Sequence, residues 1–181
     1  MTLFDEGNMK CSVCGKKSGH PFLLSSNQFG YQDLDTRPSE MYRSSMHTWL
    51  SKCPNCGYVA SNLNEDLEIN EDFLNSEQYK TCDGIEFKSD VSEMFYKSYL
   101  IENERKDDVQ AFRSILRCAW ACDDAKDEKN SKLSRQLGVE RINKIIEKNE
   151  NVSDDFLVLK SDLLRRMGEF DQLMMNMKIL L

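Results

Sequence analysis

Apolar residues fall in two rhythms along the chain. Up to about residue 62 they come in short pieces, and from residue 70 they recur every three or four positions with almost no glycine or proline between them. His20-Pro21-Phe22-Leu23-Leu24 reads as a short strand. Met46, Thr48 and Leu50 alternate with His47, Trp49 and Ser51, which predicts a second strand from Ser45 to Lys52. Pro38 near a helix start and the Tyr42, Met46, Trp49 spacing predict instead a helix from Ser39 to Trp49, and the pattern leaves both open.

The later rhythm predicts helices. Glu71 to Lys80 gives a short one, and Asp90 as N-cap with Glu93 three residues on forms a capping box before Val91, Met94, Phe95, Tyr99 and Ile101. Asp107 and Asp108 suit the positive end of the next helix. Its Val109, Phe112, Leu116, Ala119 and Trp120 form one stripe, and Ala111, Ile115, Cys118 and Cys122 form another. Leu133, Leu137, Ile142, Ile145 and Ile146 mark a third helix of this set. Asp154 to Met167 is a fourth, with Phe156, Leu163 and Met167 inward, Arg165 and Arg166 in its last turn and Gly168 ending it. In the last helix Phe170, Leu173, Met174, Met177, Leu180 and Leu181 fall within an arc of about 120°, the predicted core face. Met175 and Ile179 lie on the opposite side. Either a second copy or a different protein covers that strip, or they are two exposed apolar residues without consequence.

Successive amphipathic helices with short turns, several apolar on two sides, predict hairpins stacked in a tetratricopeptide-like array, although no clean repeat of roughly 34 residues is present. An irregular helical bundle is the alternative. The predicted class is α+β, mainly α. A small four-cysteine zinc-ribbon-like module, residues 1–62, carries a long insert between its knuckles. An acidic connector with a short helix, residues 63–89, leads to an array of antiparallel helices over residues 90–181.

Composition narrows the setting. At 181 residues, 40% hydrophobic and 30% charged, the chain suits one globular unit or two small ones and is not wholly disordered. No apolar run approaches the roughly 18 to 20 residues of a membrane span. Met1-Thr2-Leu3-Phe4-Asp5-Glu6 lacks the basic and apolar regions of a secretion signal, so a cytoplasmic location is expected. Residues 1–62 hold 6 Lys and Arg against 5 Asp and Glu and the rest 18 against 26, so the net charges are +1 and −8. Glu65, Asp66, Glu68, Glu71, Asp72 and Glu77 form an acidic run, read as a solvated surface or else as a docking patch for a basic partner.

Seven cysteines in a reducing compartment are more often ligands than disulfides. Cys11-Ser12-Val13-Cys14-Gly15 and Cys53-Pro54-Asn55-Cys56-Gly57 are two C-x-x-C-G knuckles with 38 residues between them. A two-residue spacer turns both thiolates of a knuckle to one point, and glycine admits the positive φ that follows. Cys11, Cys14, Cys53 and Cys56 therefore form a predicted tetrahedral site for one structural Zn²⁺, closed to the water a catalytic zinc keeps.

Other groups have a chemical and a structural reading. Asp33, Asp35, Arg37, Glu40 and Arg43 would serve as acid, base and anion clamp in an enzyme, or as ion pairs holding the insert against the zinc module. His20 and His47, the only histidines, read as ligand or base, or as a turn residue and one side of an element. Cys82, Cys118 and Cys122 supply three thiols without an evident fourth ligand and read as buried packing residues.

The order Cys11-x-x-Cys14-Gly15, Asp33-Leu34-Asp35-Thr36-Arg37-Pro38, Trp49, Cys53-Pro54-Asn55-Cys56-Gly57-Tyr58-Val59-Ala60 and Ala119-Trp120 resembles the bacterial family named domain of unknown function 2225, over nearly the whole chain. The second knuckle and Leu164-Arg165-Arg166-Met167-Gly168-Glu169-Phe170 are the more specific parts. Ser12 departs from the frequent proline of the first knuckle. The resemblance implies a zinc-ribbon-like front, a tetratricopeptide-like back, a bacterial cytoplasmic setting and no particular reaction.

The leading functional class is therefore a non-enzymatic scaffold that meets an unknown protein partner or a second copy through the last helix. Zinc–thiolate bonding worth on the order of 10 kcal/mol would fold a front with few apolar residues. Nucleic-acid binding is the second class. Phe22, Phe29, Tyr31, Tyr42, Trp49 and Tyr58 would stack on bases beside Lys10, Lys16, Lys17, Arg37, Arg43 and Lys52. Charge argues against it, because four thiolates and one Zn²⁺ bring the +1 of this region to about −1. An enzyme built on the Asp33 to Arg43 cluster is the third.

Overall fold

The computed structural model describes residues 1–66, 68–148 and 153–180. The described residues are mainly helical, with 55% helix and 13% strand. Two hairpins come first. Strands β1 (Leu3–Lys10) and β2 (Lys17–Ser25) pair antiparallel, Leu3 opposite Ser25 at the open end and Lys10 opposite Lys17 at the turn. The strand expected at His20 to Leu24 lies inside β2. A second, minimal hairpin pairs β3 (Ser51–Lys52) with β4 (Val59–Ala60).

Neither element expected around Ser39 to Trp49 forms at its full length. A 3-10 helix covers Arg43–Thr48 and β3 follows it. The hydroxyls explain the tight winding. Ser45 Oγ donates to the Tyr42 carbonyl at 2.7 Å and Thr48 Oγ1 to the Ser45 carbonyl at 2.8 Å, each three residues back.

The single short helix expected from Glu71 to Lys80 is two, α1 (Glu71–Asn75) and α2 (Glu77–Thr81). Ser76 is extended between them, and its Oγ accepts from the Tyr79 N–H to cap α2. The next helix, α3 (Asp90–Glu104), is capped by Ser89, not Asp90, because the Ser89 Oγ accepts from the Ser92 N–H. Glu93 is therefore no capping-box partner. It pairs with Lys52 and Lys97.

Helix α4 (Asp108–Asp124) is capped by Asp107 and buries two sides at once. Ala111, Ile115, Cys118 and Cys122 are fully enclosed, and Phe112, Leu116 and Trp120 nearly so. It packs between α3 and α5 (Glu128–Lys148). In α5 Leu133 and Leu137 are only half-buried, whereas Ser131, Ser134, Gly138, Ile142 and Ile145 are buried. Small residues let this helix come close: a Cβ on Gly138 would meet Leu163 Cδ1 at 3.2 Å and Phe112 Cε2 at 3.7 Å. Helix α6 (Asp154–Met167) follows on α5, and α7 (Phe170–Leu180) on α6. Each helix from α3 onward thus rests mainly on its neighbours in sequence, which is the array the periodicity predicted.

The last helix differs from expectation. Leu173 packs against the core, but Phe170, Met174 and Met177 of the predicted core face are exposed. Asn176 is the buried residue, its amide donating to the Leu157 carbonyl and Ser161 Oγ. Among the described residues α7 packs chiefly on α6, and one main neighbour covers a narrower arc than the sequence offers. Met175 is exposed as expected. The side chains of Ile179 and Leu180, and all of Leu181, lie outside the described residues. No helix among those described is long and apolar enough to cross a membrane.

Candidate metal centre

Each knuckle occupies a hairpin turn, and the two turns repeat one local geometry. The Cys11 N–H donates to the Lys16 carbonyl at 2.9 Å, and the Cys53 N–H to the Tyr58 carbonyl at 2.8 Å. Gly15 and Gly57 donate back to the carbonyls of Cys11 and Cys53, both at 2.9 Å. Their φ angles of 69° and 76° are in the left-handed region, where a Cβ is costly. Residues 61–65 then bind the first hairpin to the second. The Ser12 N–H donates to the Leu63 carbonyl at 2.8 Å and the Lys10 N–H to Asn64 Oδ1 at 2.7 Å.

The four Sγ atoms of Cys11, Cys14, Cys53 and Cys56 consequently lie within 4.8 Å of one another. Cys11 Sγ is 3.7 Å from Cys56 Sγ, and Cys14 Sγ is 3.6 Å from Cys53 Sγ. A tetrahedron of sulfurs about 2.3 Å from a central ion has edges of about 3.8 Å, so the donor set and its spacing fit a four-thiolate metal site. The thiols differ. Burial pushes Cys56 and Cys11 up from their ordinary value. At Cys53 burial opposes the shift, but the N–H groups of Cys56 and Asn55 and the neighbouring thiols outweigh it and bring the group down to about 7. Cys11 and Cys53 are buried, and Cys14 and Cys56 are half-buried. The helices meet the site from below, where Tyr79 of α2 donates its O–H to the Gly57 carbonyl at 2.9 Å.

No other group of three or more metal-ligating side chains converges among the described residues. Cys118 donates to the Ser92 carbonyl and accepts from Ser134 Oγ in a buried helix contact. Cys122 is one turn further along the same helix and fully enclosed, and Cys82 is buried at the end of α2. His20 is buried with Nε2 2.7 Å from Ser18 Oγ, and burial holds its pKa down. His47 is exposed and stands 5.3 Å from the Phe4 ring.

The Asp33 to Arg43 cluster is gathered, but largely in pairs and on different supports than expected. Asp35, wholly buried, accepts from Trp120 Nε1 of α4 at 2.9 Å. Arg37 pairs with Asp124 of α4 at 2.5 Å, and Arg43 with Asp33 at 3.0 Å. Glu40 accepts from Ser44 Oγ at 2.6 Å. Arg166 of α6 lies 3.7 Å from Asp33 and 3.6 Å from Asp35 while its Nε holds Asp162 at 2.7 Å. These pairs bolt the insert to α4 and α6 of the helical array, while the His47 ring beside Phe4 ties it to the first hairpin. Arg166 stands in the last turn of its helix and in the Leu164 to Phe170 stretch, and no local spacing announces its ion pair with residues about 130 positions away.

The aromatic residues considered for stacking divide. Phe29 and Tyr31 are exposed, Tyr58 is wholly buried, and Trp49 stacks on Tyr42 at 4.8 Å with its edge toward Phe95. The acidic residues Glu65, Asp66, Glu68, Glu71, Asp72 and Glu77 are all exposed. The fold and site define a class: a small module with a four-cysteine cluster that could hold a metal ion, followed by a helical array. No family model matches the chain, and neither a curated protein nor a solved structure does.

Proposed function

We propose that the chain is a zinc-binding, non-enzymatic protein-interaction scaffold of the bacterial cytoplasm, with one structural Zn²⁺ on Cys11, Cys14, Cys53 and Cys56. The observation that carries the reading is the closed cluster of four thiols at the seam of two hairpins, which gives a metal four protein ligands and a stabilising role. The order of the knuckles, the Asp33 to Pro38 stretch and Ala119-Trp120 support including the resemblance to domain of unknown function 2225 in this proposal. Zinc is the ion that four thiolates at this spacing favour in a reducing cell. The pairing of Asp35, Arg37, Arg43 and Arg166 favours a bolt over an acid–base pair. Partners are another protein on the helix array, or a second copy on the face of α7 that carries Met175 and Ile179.

The front hairpin supplies the test. A two-stranded ribbon is marginal in water, and β1 is mostly exposed along its length. Removing metal with a strong chelator should accelerate amide exchange throughout Leu3–Lys10 and Lys17–Ser25, while α3 to α5 keep their protection. Unchanged exchange in the hairpin would contradict a structural metal.

A further inference from the structure

The chain has nine arginines. Seven hold a carboxylate: Arg37 with Asp124, Arg43 with Asp33, Arg105 with Glu102, Arg135 with Asp123, Arg141 with Asp108, and Arg165 and Arg166 with Asp162. The two that have no carboxylate partner among the described residues, Arg113 and Arg117, stand one turn apart on the same side of α4. In a protein with 31 acidic residues this placement is a specific feature.

Their surroundings form a groove. Arg117 is half-buried with its guanidinium 5.7 Å from the Trp49 ring, and burial pushes its pKa down from the ordinary value. Arg113 is exposed. Both line a recess of about 180 Å³ whose apolar walls are Pro38, Tyr42, Trp49 and Trp120. Arg113 also borders a cleft of about 640 Å³ between residues 32–36, α4 and α6, where Leu34 and Val158 are exposed. A desolvated guanidinium without a counter-ion favours a ligand that brings one, and the planar fork suits a carboxylate.

We propose that this groove binds an acidic peptide segment of a partner protein, with carboxylates on Arg113 and Arg117 and an adjoining apolar side chain in the cleft beside Leu34 and Val158. The inference rests on the scaffold reading and names its partner's chemistry. A nucleic acid fits less well. Asp33 and Asp155 border the cleft on one side, and Glu65, Glu102 and Asp107 line the space on the other side of Arg117. A uniform polyanion would meet these carboxylates, whereas a peptide places one or two acids at the arginines and other residues against the rims.

The chain's two tryptophans, Trp49 and Trp120, both line the recess, so binding reports itself in intrinsic fluorescence. The experiment selects binders from a phage-displayed library of random dodecapeptides on the zinc-loaded full chain, then titrates the enriched sequence as a synthetic peptide. The expected result is enrichment of peptides that combine Asp or Glu with apolar residues, and at least tenfold weaker binding to Arg113→Gln/Arg117→Gln. Arg113→Gln alone removes an exposed side chain with no carboxylate partner among the described residues, so it keeps the fold and should still weaken binding severalfold. Peptides without acids, or acidic ones indifferent to both variants, would overturn the site and leave the scaffold reading standing. No enriched peptide, with tight binding of a single-stranded oligonucleotide, would overturn both; no enriched peptide and no oligonucleotide binding overturns the site.

Discussion

Asp162 shows how a single side chain carries a tertiary joint. It is buried, takes Arg165 and Arg166 through its two oxygens, and so holds Arg166 toward Asp33 and Asp35. Burial alone would raise its pKa, but the bonds from Arg166 and Arg165 prevail and hold it below the ordinary carboxylate range. Asp123, bound by Arg135 and Ser131, is lowered by the same balance. A carboxyl with a depressed folded-state pKa contributes stability above its unfolded value, and that contribution is lost as pH falls through the folded one. Helix stability measured by urea should therefore hold from pH 7 to about 5 and fall below about 4. Asp162→Asn should cost about 1 to 3 kcal/mol at pH 7, discounted for the partial exposure of both arginines, and should flatten part of the acid slope. An unchanged slope in that variant would show that Asp162 does not carry it.

At the scale of elements, periodicity and caps were legible wherever a helix makes its own boundaries. The span of α6 and its Gly168 stop follow from local spacing, as does the two-sided burial of α4. The start of α3 was misplaced by one residue because Ser89 and Asp90 are both good caps and only geometry decides which accepts the Ser92 N–H. Ser89→Ala should lower stability by about 1 kcal/mol, read as a shifted urea midpoint at constant slope, whereas Asp90→Ala should have the smaller effect. The 3-10 helix at Arg43–Thr48 was hidden because hydroxyl bonds, not apolar spacing, select it. In α7 the core face expected from the apolar arc is overturned at Phe170, Met174 and Met177, because the width of its neighbour is a tertiary fact. Phe170, Met174 and Met175 are left exposed, so Met174→Glu with Met175→Glu should keep helicity by circular dichroism. If α7 joins two copies, that variant should also reduce a sedimenting dimer to monomer; a wild-type chain that is monomeric at high micromolar concentration would retire self-association.

The whole molecule is tied together by contacts that no local pattern encodes. The four cysteines were legible because two knuckles with their glycines are written in ten residues, and the helix array because its rhythm repeats. What joins the two ends was not. The Tyr79 bond to Gly57, the Asp35 bond to Trp120 and the reach of Arg166 span 22, 85 and about 130 positions. A metal on the four thiolates would fasten the first hairpin to the second, and these contacts fasten the second hairpin and the insert to the helices. X-ray absorption at the zinc edge on the purified full chain, with the metal content measured on the same sample, decides whether four thiolates hold one zinc. The expected result is about one zinc per chain with four sulfur neighbours at about 2.3 Å, falling well below one equivalent in Cys53→Ser. Nitrogen or oxygen neighbours at about 2.0 Å in place of sulfur, or a Cys53→Ser chain that keeps a full equivalent, would contradict it.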